Sequence, residues 1–201
     1  AFHDVLAPPA PPPLPVPVDS ISLDEKVETT KALATAGASI NELNTVRKHI
    51  SAVKGGKLAA AAYPAHVISL ILSDVLEDPI DVIASGPTTF DPSTFEDALN
   101  VIQSRGLSTC IPQSVVQYLR LGAAGGAQET PKEGDVKLSR SQSFVIGNNK
   151  IAAEEALKFL AERGFHGHIE TLALRGDTAQ AAHRIAMTAS KVLNELDQEQ
   201  G

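Results

Sequence analysis

The chain has 201 residues, of which 43% are hydrophobic and 20% charged, and its net charge is −7. That composition belongs to a soluble globular chain with one sizeable core or two small ones, and the acidity argues against nonspecific binding to nucleic acid or to an anionic membrane. A single cysteine, Cys110, excludes a disulfide framework and points to a reducing, cytoplasmic setting, while no apolar run reaches the ~18–20 residues of a membrane span.

The first residue is Ala1 and no charged, apolar leader follows it, so the sequence reads as a piece of a longer chain. Residues 7–18 are dense in proline. Such a run cannot form a helix or a central strand, and it reads as an extended connector. Residues 1–20 are therefore set apart as a proline-rich segment.

Ser22 and Glu25 form a capping box, and Val27, Thr30, Leu33 and Ala34 follow at helical spacing until Gly37 stops the helix. Ser39 and Glu42 make a second box. The helix it launches is expected to run to the Gly55-Gly56 pair. On such a helix Asn44, Arg47, Ser51 and Lys54 share one face, beside an apolar stripe of Leu43, Val46, Ile50 and Val53. Lys57 to Ala62 fits one or two further turns.

His66 to Leu72 reads as a strand buried on both faces of a parallel sheet, ending in Ser73-Asp74. Residues 75–81 are an acidic loop. The short apolar Val82-Ile83-Ala84 leads into a donor-rich turn, Ser85-Gly86-Pro87-Thr88. A helix over 94–104 should bury Phe95, Ala98, Leu99 and Ile102, and Pro112 opens another. Residues 122–138 hold four glycines and a proline and read as a mobile surface loop. Strands at 144–146 and 168–174 and helices at 151–163 and 178–196 follow. Strand, turn and helix in this alternation predict an α/β fold built on a parallel sheet, a Rossmann-like α/β/α sandwich that is incomplete here.

In a parallel sheet the strand ends share one edge, where ligands collect. The helix with Arg47 and Lys54 could line that edge. Arg47 suits a carboxylate or phosphate, Lys54 a point charge, the amides around Gly86 an anion, and Asp74 a metal or a hydroxyl proton. Two readings stay open from the residues alone: a phosphoryl-transfer cleft, or solvated helix charges with a local turn acid. The histidines at 49, 66, 166, 168 and 183 lack metal-ligand spacing. Walker, G-x-G-x-x-G and G-x-S-x-G signatures do not occur.

The stretch from Ala36 to Ser51, followed by Lys54-Gly55-Gly56, resembles the class II glycerate kinases. So do Leu70 to Val75 and Asp81 to Thr88. Looser likeness extends through Val145 to Asn149 and Arg175 to Asp177. The resemblance implies ATP-dependent phosphorylation of D-glycerate with a divalent metal, Mg²⁺. It places residues 21–201 in part of a MOFRL-associated (glycerate kinase N-terminal) domain, and it implies an upstream glycine-rich loop and a downstream MOFRL domain that this sequence does not show. At these positions the expected catalytic residues are Arg47, Lys54 and Asp74, with Asp74 also serving the metal. Asn44, Ser73, Ser85, Gly86 and Thr88 are expected to bind substrate or phosphate. Glu77 stands where the family pattern has glycine. The expected partners are D-glycerate and ATP, with no nucleic acid or membrane, and a homo-oligomer is compatible with the sequence. Two other readings are a catalytically inactive remnant acting as a binding module, and a hydroxypyruvate reductase, which would lack any dinucleotide fingerprint here.

Overall fold

The computed structural model describes residues 16–199, with side chains to residue 193. Most of the proline-rich run therefore lies outside the described residues. The chain divides into two compact units, residues 1–147 and 148–201.

In the first unit α1 (Leu23–Thr35) and α2 (Ile40–His49) both start on the expected capping boxes. Ser22 accepts from the Glu25 amide while Glu25 accepts from the Ser22 amide, and Ser39 and Glu42 do the same. The buried stripe of α1 is one position off the expected one. Lys26, Thr29 and Leu33 are buried, whereas Val27 is 42% exposed. α3 (Lys57–Ala62) is short, and α4 (Phe95–Ser104) is launched by a Thr94–Asp97 capping box. α5 (Gln113–Ala123) begins directly after Pro112.

α1, α2, α4 and α5 enclose the core. Leu33, Val46, Ile50, Phe95, Ala98, Ile102, Val115 and Leu119 are essentially inaccessible and form one cluster. Polar ties fix the helices at their ends: Arg105 forks onto Glu42, and the Ser114 hydroxyl donates to Glu25. Residues 16–18 lie extended against the loop after α2. There Val18 donates to the Ile50 carbonyl at 3.3 Å and Ala52 to that of Val16 at 3.0 Å.

Among the described residues the sheet has two parallel strands, β1 (Val67–Ser73) and β2 (Ser141–Asn148). It is α/β as expected but far from a full sandwich. β1 was expected to be buried on both faces, yet Ile68, Leu70 and Leu72 are 66–76% exposed, with Phe144 and Ile146 exposed on β2. One strand face is simply uncovered, so the apolar run that a doubly buried strand needs is present without its second layer. The stretch at 168–174 forms no strand, and residues 83–85 form a 3₁₀ turn. The loop after α5 is also not wholly mobile surface: Thr130 is 2% exposed. The second unit contains α6 (Asn149–Ala161), capped by the Asn148 side chain, and α7 (Thr178–Glu199).

Candidate functional site

α2 ends at His49, not at the glycine pair, because the backbone after Ile50 turns aside to pair with residues 16–18. Asn44 and Arg47 are therefore helical, while Ser51 and Lys54 sit in the loop that follows. The four do not share a helix face, but the loop returns Lys54 to the same place. What gathers the residues is the turn at 82–87, whose carbonyls are taken up one after another by the segment 44–59. The Asn44 amide nitrogen donates to Val82 O at 3.4 Å, and Lys54 Nζ donates to Ala84 O at 2.8 Å. The Gly55 and Gly56 amides donate to Ser85 O (3.0 Å) and Gly86 O (2.7 Å), and the Leu58 amide to Pro87 O (3.2 Å). Asn44 Oδ1 in turn accepts from the Ser85 hydroxyl at 2.8 Å and from Arg47 at 3.4 Å.

This zipper holds a strained backbone. Ala84, Ser85 and Gly86 have φ of 52°, 64° and 56°. Left-handed geometry costs roughly 1–2 kcal/mol at each non-glycine residue, and it persists only where surrounding bonds dictate it. The same turn corrects one expectation. The Ser85 and Gly86 amides donate inward, to Val82 O and Ile83 O at 2.9 Å. They shape the turn and do not cradle an anion.

Charge at the site is one-sided. Lys54 is 2% exposed, and its ammonium has one acceptor, Ala84 O. Arg47 is half-buried and has one hydrogen bond, to Asn44. Among the described residues neither forms an ion pair. Burial first, then repulsion by Arg47 and Lys26, pulls the Lys54 ammonium down to about 8. Burial also lowers Arg47, though a guanidinium stays charged. Buried cations without a carboxylate are costly, and among the described residues none faces Lys54 or Arg47 in an ion pair.

The other expected residues fall elsewhere. Ser73 closes a local turn with Val75, and Asp74 is exposed just past β1. No hydrogen bond or ion pair joins either to the Asn44–Ser85 cluster. Thr88 is tied to the sheet, accepting from the Ser69 hydroxyl at 2.9 Å and lying 3.3 Å from that of Ser143. It links the strained turn to both strands. Thus Asn44, Arg47, Lys54, Ser85 and Gly86 come together, Thr88 adjoins them through the turn, and Ser73 and Asp74 stand apart.

A polar network beside the cluster went unforeseen. Asp91 is fully buried and takes Lys48 Nζ (3.2 Å), the Ser93 hydroxyl (2.7 Å) and the Thr130 hydroxyl (3.0 Å). Burial works to raise its carboxyl, but Ser93 and Lys48 outweigh it and hold the group low. His49, inaccessible and tilted against Phe95, bonds Thr45 O and Glu129 at 2.7 and 2.8 Å. Lys57 donates to the carbonyls of Lys48, His49 and Ser51, closing the carboxyl end of α2. The signal for Lys26 was available: it lies three residues before Thr29 and seven before Leu33, on the stripe that α1 buries. For Asp91 and Thr130, 39 residues apart in the pairing, no local pattern existed.

Among the described residues no group of three His, Cys, Asp or Glu side chains converges as a metal cage.

A family profile described as a domain of unknown function (DUF4147) matches residues 13–120. The D-glycerate 2-kinase of Thermotoga maritima is 42% identical over 177 residues, covering 88% of this chain and 39% of that protein. The glycerate kinase of Rattus norvegicus is 39% identical over 176 residues, covering 88% of this chain and 32% of that protein. Among solved structures, the T. maritima glycerate kinase superposes with a TM-score of 0.66 at 45% identity, over 79% of this chain and 35% of that one. A Pyrococcus horikoshii protein superposes with a TM-score of 0.65 at 42% identity, over 75% and 34%. The chain thus spans 32–39% of the length of these relatives.

Proposed function

The chain belongs to the glycerate kinase family that carries the DUF4147 domain, and we propose that residues 21–201 supply one wall of an ATP-dependent D-glycerate kinase site. The observation that carries this reading is the pair Arg47 and Lys54, without an ion pair among the described residues, Lys54 held on Ala84 O and Arg47 on Asn44, which itself binds the turn at 82–87. Phosphoryl transfer rests mostly on positioning and charge neutralisation. A guanidinium and an ammonium fixed on rigid backbone meet that need for a carboxylate or a transferring phosphoryl group.

Within this reading Arg47 and Lys54 bind the anion. Asn44, held by Val82 O and Ser85, sets the Arg47 guanidinium. Ser85 and Gly86 shape the turn, and Thr88 anchors it to the sheet. Ser73 and Asp74, at the carboxyl end of β1, would face the acceptor hydroxyl or hold Mg²⁺, which would neutralise the ATP phosphates. The remaining walls would come from chain beyond these residues, as the relatives' greater length allows.

The test uses the longest open reading frame that contains these 201 residues. It should form ADP from ATP and Mg²⁺ only when D-glycerate is present. Arg47→Ala should lower kcat/KM for glycerate by at least ~10²-fold, the scale of a lost charged transition-state donor. Unchanged kinetics in that variant would remove Arg47 from the site. The binding-module reading finds its support in the uncovered sheet face, and the same assay separates the two. Loss of NADH on adding hydroxypyruvate would instead favour the reductase.

A further inference from the structure

Ser51 is the one residue of the expected Asn44, Arg47, Ser51 and Lys54 group without a part in the proposed site. It is inaccessible, and three segments meet on it. Its hydroxyl donates to Val16 O at 3.1 Å and accepts from the amides of Val53 and Lys54, each at 3.4 Å. A serine hydroxyl has one proton and two lone pairs, so this one is fully committed. Its carbonyl accepts from Nζ of Lys57, the first residue of α3, at 2.8 Å. Val16 O is itself fixed. It also accepts from the Ala52 amide at 3.0 Å and from Lys26 Nζ at 3.2 Å, so one carbonyl joins residues 16–18 to α1 and to the loop after α2.

Two anchors therefore bracket Lys54. On its carboxyl side the Gly55 and Gly56 amides are held by Ser85 O and Gly86 O. On its amino side Ser51 ties the chain to residues 16–18 and to α3. Between them the Lys54 ammonium reaches Ala84 O at 2.8 Å. A lysine stem is long and flexible, so the place of its ammonium depends on how the backbone beneath it is held. Gly55 and Gly56, at φ of 60° and 80°, are the permissive links that would rotate if the Ser51 anchor were released. We propose that Ser51 is a positioning residue, acting through the backbone of Lys54 to set where that ammonium meets the substrate's anionic group. The substrate's part in this rests on the kinase reading; the placement of Lys54 does not.

The test is Ser51→Ala in the longest protein that carries this chain. Val16 O keeps two donors, so folding should survive. Competitive acylation of lysines across pH 7–11, mapped by mass spectrometry, reads the Lys54 titration. Burial and then Arg47 and Lys26 hold that ammonium at about 8 in the wild type. In Ser51→Ala it should titrate at about 9 or above, toward the ordinary lysine value near 10.4. The kcat/KM for glycerate should fall about ten- to a hundredfold, the scale of a misplaced group. In a Lys54→Met background the same substitution should change kcat/KM by less than about twofold, because a residue acting through Lys54 then has nothing to position. A lowered urea midpoint with the Lys54 titration unmoved would make Ser51 a structural pin and overturn the proposal. Losses that multiply in the double variant would overturn it too. If Ser51→Ala does not fold, Ser51→Cys, with only a weak donor, takes its place, and failure of both to fold would again make Ser51 structural and overturn the proposal. Absence of glycerate-dependent turnover in the folded wild type would remove the kinase reading alone, and the Lys54 titration would still decide the placement.

Discussion

Replacing Gly86 by alanine probes the turn that organises the site, and Gly106→Ala is its natural control. Both glycines are left-handed, with φ of +56° and +68°. For each, alanine costs roughly 1–2 kcal/mol of backbone strain, partly offset by about 0.4–1 kcal/mol from a stiffer unfolded chain. The surroundings differ. At Gly106 an added Cβ meets no atom within 4 Å. At Gly86 it would lie 2.9 Å from Asp81 O, 3.0 Å from Asp81 Cα and 3.0 Å from Thr89 Cγ2. Two of those atoms are backbone and cannot swing away. Pushing them apart adds about 1–3 kcal/mol, the usual cost of overpacking. The two strain contributions cancel in the comparison, so Gly86→Ala should be more destabilising than Gly106→Ala by about 1–3 kcal/mol. Urea unfolding with equal m-values measures this difference. Equal losses for the two variants would mean that the Asp81 backbone gives way freely. The turn at 82–87 would then not be the fixed support on which Lys54 and Asn44 depend.

Asp91→Asn should cost about 3–5 kcal/mol in urea unfolding, because Lys48 is left buried beside a neutral group; a loss under ~1 kcal/mol would show that Asp81 alone holds Lys48. Glu77 has φ of +68°, so Glu77→Gly should raise stability by up to about 1 kcal/mol, and a lower Tm would contradict the strain argument. Lys26, Lys54 and Lys57 are each lowered to about 8, burial being the first cause in every case. Between pH 8 and the ordinary lysine range the unfolded chain holds more protons than the folded one, so stability should rise with pH across that window. The urea midpoint at pH 9.5 should exceed that at pH 8, and a fall would reverse the assigned sign. Burial likewise lowers His49. Below its ordinary value near 6.5 the unfolded state gains the proton first, so stability should drop as pH falls from about 6.5 to 5; His49→Phe should flatten that limb.

Local chemistry was legible wherever it was local. Both early capping boxes, the Thr94 start of α4, the Pro112 start of α5 and the strand beginning near Val67 all rest on residues within a few positions of one another. The end of α2 was not legible. It depends on Val16–Val18 pairing with residues 50–52, a contact across more than thirty residues. The same holds for the site. Asn44, Arg47, Lys54, Ser85 and Gly86 lie together, although the shared helix face expected of Asn44, Arg47, Ser51 and Lys54 does not form. Their proximity comes from the carbonyls of 82–87 being bound by 44–59. Lys26 was overlooked because a lysine on a helix is normally taken as solvated, and only its register with Leu33 betrays its burial. The stretch at 168–174 has strand-like residues but no partner strand among the described residues, and period alone cannot supply one.

The central claim is that Arg47 belongs to the anion-binding wall of a glycerate kinase. Initial-rate ADP formation, with and without D-glycerate, tests it most directly in the longest protein that carries this chain, wild type against Arg47→Ala. The account predicts glycerate-dependent turnover that falls at least ~10²-fold in the variant while the variant remains folded. Glycerate-dependent turnover unaltered by Arg47→Ala, or none in the folded wild type, would contradict it.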